Sequence, residues 1–190
     1  MKAKIQLTTS KARLLAIALV LMSMVAGCGP DMKPTGVKLE TAINAYYENH
    51  NECLFPTGLK FPYEVSPGTN EKQERKQMDA MTAAGLLKRQ DAPALHVAEY
   101  TLTPLGERAA PRFCYGHRVV KSVDSFTPPA KQNGFVETQT GYHYSMMDVP
   151  VWAKTDQMEA AFPKMANDIS GSARDQITLA TVGAGWQVPQ

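Results

Sequence analysis

An α+β fold follows from two periodicities in this 190-residue chain and from the order in which they occur. Apolar residues recur every three or four positions in segments 37–50, 70–85 and 158–171, the spacing of helices with one buried face. Residues 113–123 and 136–146 instead alternate, as half-buried strands do. Glycine and proline punctuate these segments, and no internal repeat or low-complexity block interrupts them. The predicted architecture is a helix-led first part, residues 37–110, packed with a small antiparallel β-β-α-β layer, residues 111–190.

The first helix, Val37 to His50, presents Leu39, Ala42, Ile43 and Tyr46 or Tyr47 on one face. Cys53 to Thr69 holds Pro56, Gly58, Pro62, Pro67 and Gly68, which exclude a long element. Asn70 followed by Gln73 forms a capping-box pattern, and the helix it starts runs through Met78, Met81 and Ala84 to a glycine stop at Gly85. Glu71, Lys72, Glu74, Arg75 and Lys76 mix both signs on its outer face. Leu86, Leu87 and Leu102 belong to two short runs, separated by a break at Asp91-Ala92-Pro93. They predict a two-stranded ribbon packed on that helix and on the 37–50 helix, with Asp91 to Ala94 in the turn.

In the second part Phe113, Tyr115, His117, Val119 and Val123 are expected to share one face of a long strand, interrupted by Lys121. Thr127-Pro-Pro-Ala and Asn133-Gly134 turn the chain. The next strand places Val136, Thr138, Thr140, Tyr142, Tyr144 and Met146 on one side and Glu137, Gln139, His143 and Ser145 on the other. Met158, Ala161, Phe162, Met165 and Ile169 mark a helix that Pro163 splits and Gly171 ends. A last strand, Gln176 to Val182, is expected to return through Trp186 and Val188.

At the amino terminus Lys2, Lys4, Lys11 and Arg13 precede the apolar run Leu14 to Val25. A bilayer-spanning helix needs about 20 apolar residues, and this run is nearer a secretory h-region in length. Val25-Ala26-Gly27-Cys28 resembles the lipobox of bacterial lipoproteins. The resemblance implies that residues 1–27 are removed as a signal peptide and that Cys28 carries the lipid. Residues 28–36 would then be a glycine- and proline-containing tether. In such lipoproteins an aspartate after the cysteine favours the inner membrane; Gly29 here implies the outer membrane of a Gram-negative envelope, facing the periplasm. The alternative is an ordinary signal ending near Ala26 or Gly27.

Removal of the signal changes the charge. Its 27 residues carry four of the 20 basic and none of the 18 acidic residues, so the net charge of +2 becomes −2. A basic attraction to nucleic acid leaves with the signal. Cys53 and Cys114 remain as an even pair in an oxidising compartment, which predicts a disulfide; two buried thiols or a reactive cysteine are the rivals. Cys114-Tyr-Gly-His117 offers two ligands where zinc needs three or four.

Met78 to Gly106, with its helix ending Ala-Gly-Leu-Leu and its later Tyr-x-Leu-Thr-x-x-Gly, resembles the recognition-helix and wing half of winged-helix domains. The resemblance implies a winged-helix-like unit within 37–110. DNA binding is not expected in an exported chain, and Lys72, Arg75 and Lys76 become a candidate surface for a protein partner. Phe113-Cys-Tyr-Gly116, Tyr142-x-Tyr144, Val149-Pro-Val-Trp152-Ala and Phe162-Pro163 resemble uncharacterised Gram-negative lipoproteins, a likeness that implies no activity.

The sequence lacks a Gly-x-Ser-x-Gly elbow, a glycine-rich phosphate loop and a His-Glu-x-x-His pair. His50, His96, His117 and His143 have no metal-ligand spacing on one element. His117, His143 and Glu137 could line a cleft on the strands' exposed faces, or stand as plain surface residues. Trp152, Trp186 and the tyrosines fit either a ligand pocket or core packing. The reading that results is a lipid-anchored, non-catalytic envelope protein that binds another protein, with no cofactor and no metal. A small-ligand-binding module is the alternative and an enzyme a further one.

Overall fold

A computed structural model describes residues 33–68, 70–92, 97–132, 134–183 and 185–189. The expected signal peptide, Cys28, His96 and Asn133 lie outside the described residues. From Pro34 on, the chain forms one compact unit. Its elements are α1 (Gly36–Tyr47), β1 (Asn51–Cys53), β2 (Tyr63–Val65), α2 (Glu71–Ala83), β3 (Leu87–Ala92), β4 (Val97–Leu102), α3 (Pro104–Ala109), β5 (Cys114–Phe126), β6 (Ala130–Gln132), β7 (Phe135–Met147), a 3₁₀ turn (Val151–Lys154), α4 (Asp156–Ala161), α5 (Pro163–Ile169), β8 (Ala173–Val182) and β9 (Gly185–Gln187).

The fold is α+β, with two antiparallel sheets. One has the order β1-β5-β7-β8-β9, with β6 also paired to β7; the other has the order β2-β4-β3. The expected ribbon of β3 and β4 forms, with Leu87 opposite Leu102, and is extended by β2, where Tyr63 faces Tyr100. Asp91 and Ala92 are not in the turn: they remain paired with Ala98 and Val97. Thr35, whose hydroxyl accepts from the Lys38 amide at 3.3 Å, caps α1, and Leu39, Ile43 and Tyr47 are its buried positions. Asn70 stands at the start of α2 without a side-chain cap bond.

Two cores result. The first gathers Val65, Met78, Met81, Leu86 and Tyr100 with Phe113, Trp152, Met158, Phe162 and Met165. The second sets Leu39, Ile43 and Tyr47 of α1 against Val120, Tyr142, Tyr144, Leu179 and Trp186. Each core therefore draws on both sides of residue 111. The expectation that α2 and its ribbon pack on the 37–50 helix is not met: α1 lies on β5 and β9, and α2 lies against α4. The aromatic face of α1 finds a wider apolar partner on the long strands than the ribbon offers.

The irregular stretch after Cys53 is held by backbone bonds from Leu54 to Phe113, Phe55 to Arg112 and Leu59 to Pro111. Phe55 and Phe61 also meet Phe113 edge-on at 6.1 and 5.9 Å.

Candidate functional site

The strand β5 departs from simple alternation, and the departure builds the most elaborate polar cluster among the described residues. Asn51 faces His117 while Cys53 faces Cys114, so β5 spends an extra residue against β1. Gly116 absorbs it at φ +116, and a Cβ there would lie 2.1 Å from the Met147 carbonyl oxygen. Beyond the bulge the inward positions shift. Tyr115, Arg118 and Val120 are buried, and not His117 and Val119 as strict alternation predicts.

Arg118 is thereby turned into the interior at 6% exposure. Its Nη1 donates to Asp175 on β8 at 2.5 Å and to the Tyr142 hydroxyl on β7 at 2.9 Å. Its Nε lies 2.7 Å from Oε1 of Glu52 on β1, an ion-pair approach without the alignment of a hydrogen bond. The guanidinium also lies over the rings of Tyr144, at 4.4 Å, and Tyr47, at 5.1 Å. Glu52 uses its other oxygen on Lys164 at 3.0 Å. Lys164 donates in turn to Asp168, one helical turn later in α5, at 2.7 Å. Asp168, 2% exposed, accepts as well from Tyr115 at 2.6 Å and from Tyr144 at 2.8 Å.

The Cys53–Cys114 disulfide joins β1 to β5 at the edge of this cluster and sets Glu52, the residue before it, beside Arg118. The expected pairing of these cysteines is therefore present.

Electrostatics hold Arg118, Lys164 and Asp168 in their charged forms. Burial pushes the Tyr47, Tyr115 and Tyr144 hydroxyls up, with hydrogen bonds to Tyr142 and Asp168 adding to the shift. Burial also opposes the charge of Arg118, but Asp175, the two tyrosines and Glu52 outweigh it and hold the group more firmly protonated. The same contest raises Lys164 and lowers Asp168. A general acid or base works best with a pKa near the working pH, and these shifts all run away from neutrality. The cluster ties α1, β1, β5, β7, β8 and α5 together.

Two open hollows flank Lys164. One, of about 410 Å³, is lined by Tyr46, His50, Glu52 and Arg112 among others, with His50 stacked on Tyr46 at 3.8 Å. The other, of about 220 Å³, lies between Leu54, Tyr115, Phe162 and Met165. A third hollow of about 410 Å³ sits between Leu105, Arg108, Asp148, Val151 and Trp152.

The histidines do not converge. His117 pairs with Asp148 at 3.5 Å, and His143 meets Asp124 at 2.7 Å and Arg174 on its other ring nitrogen. Along β7 the partner of His117 is four residues from His143, about 13 Å. Among the described residues no three metal-ligating side chains come together. Of the candidate partner surface, Lys72 is exposed, Arg75 pairs with Glu71 at 2.8 Å, and Lys76 donates to the Ala160 carbonyl at 2.7 Å. Glu52, Arg118, Lys164, Asp168 and Asp175 were not singled out by pattern. The Lys164–Asp168 spacing was visible; the inward turn of Arg118 was signalled only by Gly116. No family model, curated protein or solved structure matches the chain.

Proposed function

We propose that the mature protein is a lipid-anchored, non-catalytic envelope protein, held by Cys28 and engaging another protein in the periplasm. The observation that carries the anchor is the order of basic residues, short apolar run and Val25-Ala26-Gly27-Cys28, followed within six residues by the folded unit that begins at Pro34. The reading as a binding protein is supported by the locked charge states around Arg118 and Asp168, which serve cohesion better than proton transfer. It is supported too by Val151, 85% exposed beside the Leu105 and Trp152 hollow, an apolar surface of the kind that marks protein contacts. The helix-strand-strand order of α2, β3 and β4 keeps the winged-helix likeness within this proposal, with Lys72 and Arg75 facing a protein partner and not DNA.

The test is mass spectrometry of the amino-terminal peptide together with fractionation of Cys28→Ala. Acylation at Cys28 and release of the variant from membranes are expected. A variant that stays acylated and membrane-bound would overturn the anchor.

A further inference from the structure

Arg75, Arg89 and Arg118 each hold a carboxylate, but the Arg112 guanidinium has no hydrogen-bond or ion-pair partner among the described residues. It lines the open hollow of about 410 Å³ beside Lys164. We propose that this hollow binds a small oxyanion carried on a flat ring, an aromatic carboxylate or phosphate monoester, with Arg112 on the anionic oxygens and the rings of Tyr46 and His50 as the wall beside the ring. The site is independent of the lipid anchor and of the α2 face.

Backbone pairing sets Arg112 in place. Its carbonyl accepts from the Phe55 amide at 3.1 Å, between bonds from Leu59 to Pro111 and from Leu54 to Phe113, so residues 111–113 are clamped along the 54–59 stretch. Leu54 and Pro56 line the same hollow. The rings come from the end of α1: Tyr46 lies in its last turn, and His50 stacks on it with ring centres 3.8 Å and planes 10° apart. His50 Nδ1 lies 2.6 Å from the Tyr46 carbonyl oxygen. A carbonyl only accepts, so Nδ1 carries a proton, and Nε2 is left without a partner among the described residues.

The charges of the lining favour an anion. Glu52 is the one carboxylate among the described lining residues, and both its oxygens are taken, one by Arg118 at 2.7 Å and the other by Lys164 at 3.0 Å. It turns to Arg112 only by giving up one of them. The carbonyl end of α1, which would repel an anion, is met by the amides of Asn49 and His50 and by the His50 ring. A guanidinium presents paired N–H donors that match carboxylate and phosphate oxygens, and a protonated His50 adds a donor at Nε2. The volume lies in the lower part of the range of small-molecule sites, and with Leu54, Pro56 and two aromatic rings in the lining it suits a ring joined to the anion.

The experiment titrates the mature, disulfide-bonded protein in phosphate-free, low-salt buffer with phenyl phosphate, benzoate, inorganic phosphate and phenol, and takes each Kd from the shifts of its amide signals. Phenyl phosphate or benzoate should bind several-fold tighter than inorganic phosphate, through burial of the ring, and phenol should not bind. Whichever of the two ring-bearing anions binds tighter names the anion. Arg112→Gln should weaken binding about tenfold, the loss of a charge-assisted hydrogen bond, and Arg112→Lys should recover part of it. Arg108→Gln, exposed beside the Trp152 hollow, should leave binding unchanged; melting curves verify that each variant folds. Full affinity in Arg112→Gln would overturn the site, as would an equal loss in Arg108→Gln, which would mean attraction by net charge alone. Phenol binding as tightly as phenyl phosphate would overturn the oxyanion, and inorganic phosphate matching phenyl phosphate would overturn the ring. Absence of binding by both ring-bearing anions would overturn the proposal outright.

Discussion

Glu52 and Arg118 meet at 2.7 Å across the β1–β5 pair, and no other carboxylate in the cluster reaches both of its cations as Glu52 does through Arg118 and Lys164. Replacing it by Gln keeps the shape and removes the charge. Asp175 and Tyr142 stay on the guanidinium, so the loss is partial, about 2 kcal/mol. Urea unfolding of Glu52→Gln beside the exposed Glu64→Gln, expected within about 0.5 kcal/mol of wild type, measures it. Equal midpoints for both variants would show that the pair contributes nothing.

The bond that positions Glu52 is predicted to matter in its own right. Cys53 and Cys114 are 61 residues apart, and closing a loop of that length stabilises by about 4 kcal/mol on the chain-entropy model. The double variant Cys53→Ser, Cys114→Ser should melt well below wild type. Adding Glu52→Gln to it should then have less effect than in the bonded protein, because the two changes share a partner.

Stability should fall at both extremes of pH, for opposite reasons. Burial opposes ionisation of Asp168, but hydrogen bonds from Lys164, Tyr115 and Tyr144 outweigh it and depress its folded value. Its contribution is present above the unfolded value, about 4, and is lost as pH falls through the folded one. Lys164, Tyr115 and Tyr144 are raised, so their contribution is present below about 10 and lost as pH rises further. Unfolding midpoints measured across pH should show a plateau with a falling limb on each side. Asp168→Asn should lower the plateau and flatten the acid limb; an unchanged acid limb would assign it to other carboxylates.

Long elements were legible because many residues repeat the same preference. The inward face of β7 reads directly as Thr138, Thr140, Tyr142 and Tyr144, all buried, and α1 reads as Leu39 and Ile43. β1 and β2, three residues each, are too short for alternation to register, and their partner strands lie far along the chain. The polar cluster was hidden for a related reason. One bulge at Gly116 reverses which side chains of β5 point inward, and nothing local marks Arg118 as the residue that benefits. Helix α3 had a signal that went unread: Thr103 caps it, accepting from the Gly106 amide at 3.0 Å, and Pro104 occupies its first turn.

The Leu-Thr-x-x-Gly segment also has a steric reason. A Cβ on Gly106 would meet the Leu86 carbonyl oxygen at 2.0 Å, so α3 can cross the start of β3 only with glycine there. Gly106→Ala should destabilise by about 2 kcal/mol or more through forced separation of the two backbones. Gly68→Ala, with nothing within 4 Å of the added carbon, is the control. Comparable melting temperatures for the two variants would mean that the backbone yields without strain.

The charged face of α2 yields the prediction that the structure changes most. A triple reversal at Lys72, Arg75 and Lys76 would be expected from sequence to spare stability, but two of these residues are engaged. Arg75 forms a partly exposed i,i+4 pair with Glu71, worth about 0.4 kcal/mol, and Lys76 reaches across to the Ala160 carbonyl of α4. Lys76→Glu would bring a carboxylate to that carbonyl and loosen α2 from α4. The melting temperature of the triple variant should therefore fall, and most of the fall should reappear in Lys76→Glu alone. Lys72→Glu, exposed, should leave melting unchanged and is the variant with which to read partner binding. Crosslinking from a photoreactive residue at position 73, the exposed neighbour of Lys72, should give one discrete adduct in membranes. If Lys72→Glu leaves that adduct undiminished, the α2 face is not the partner surface.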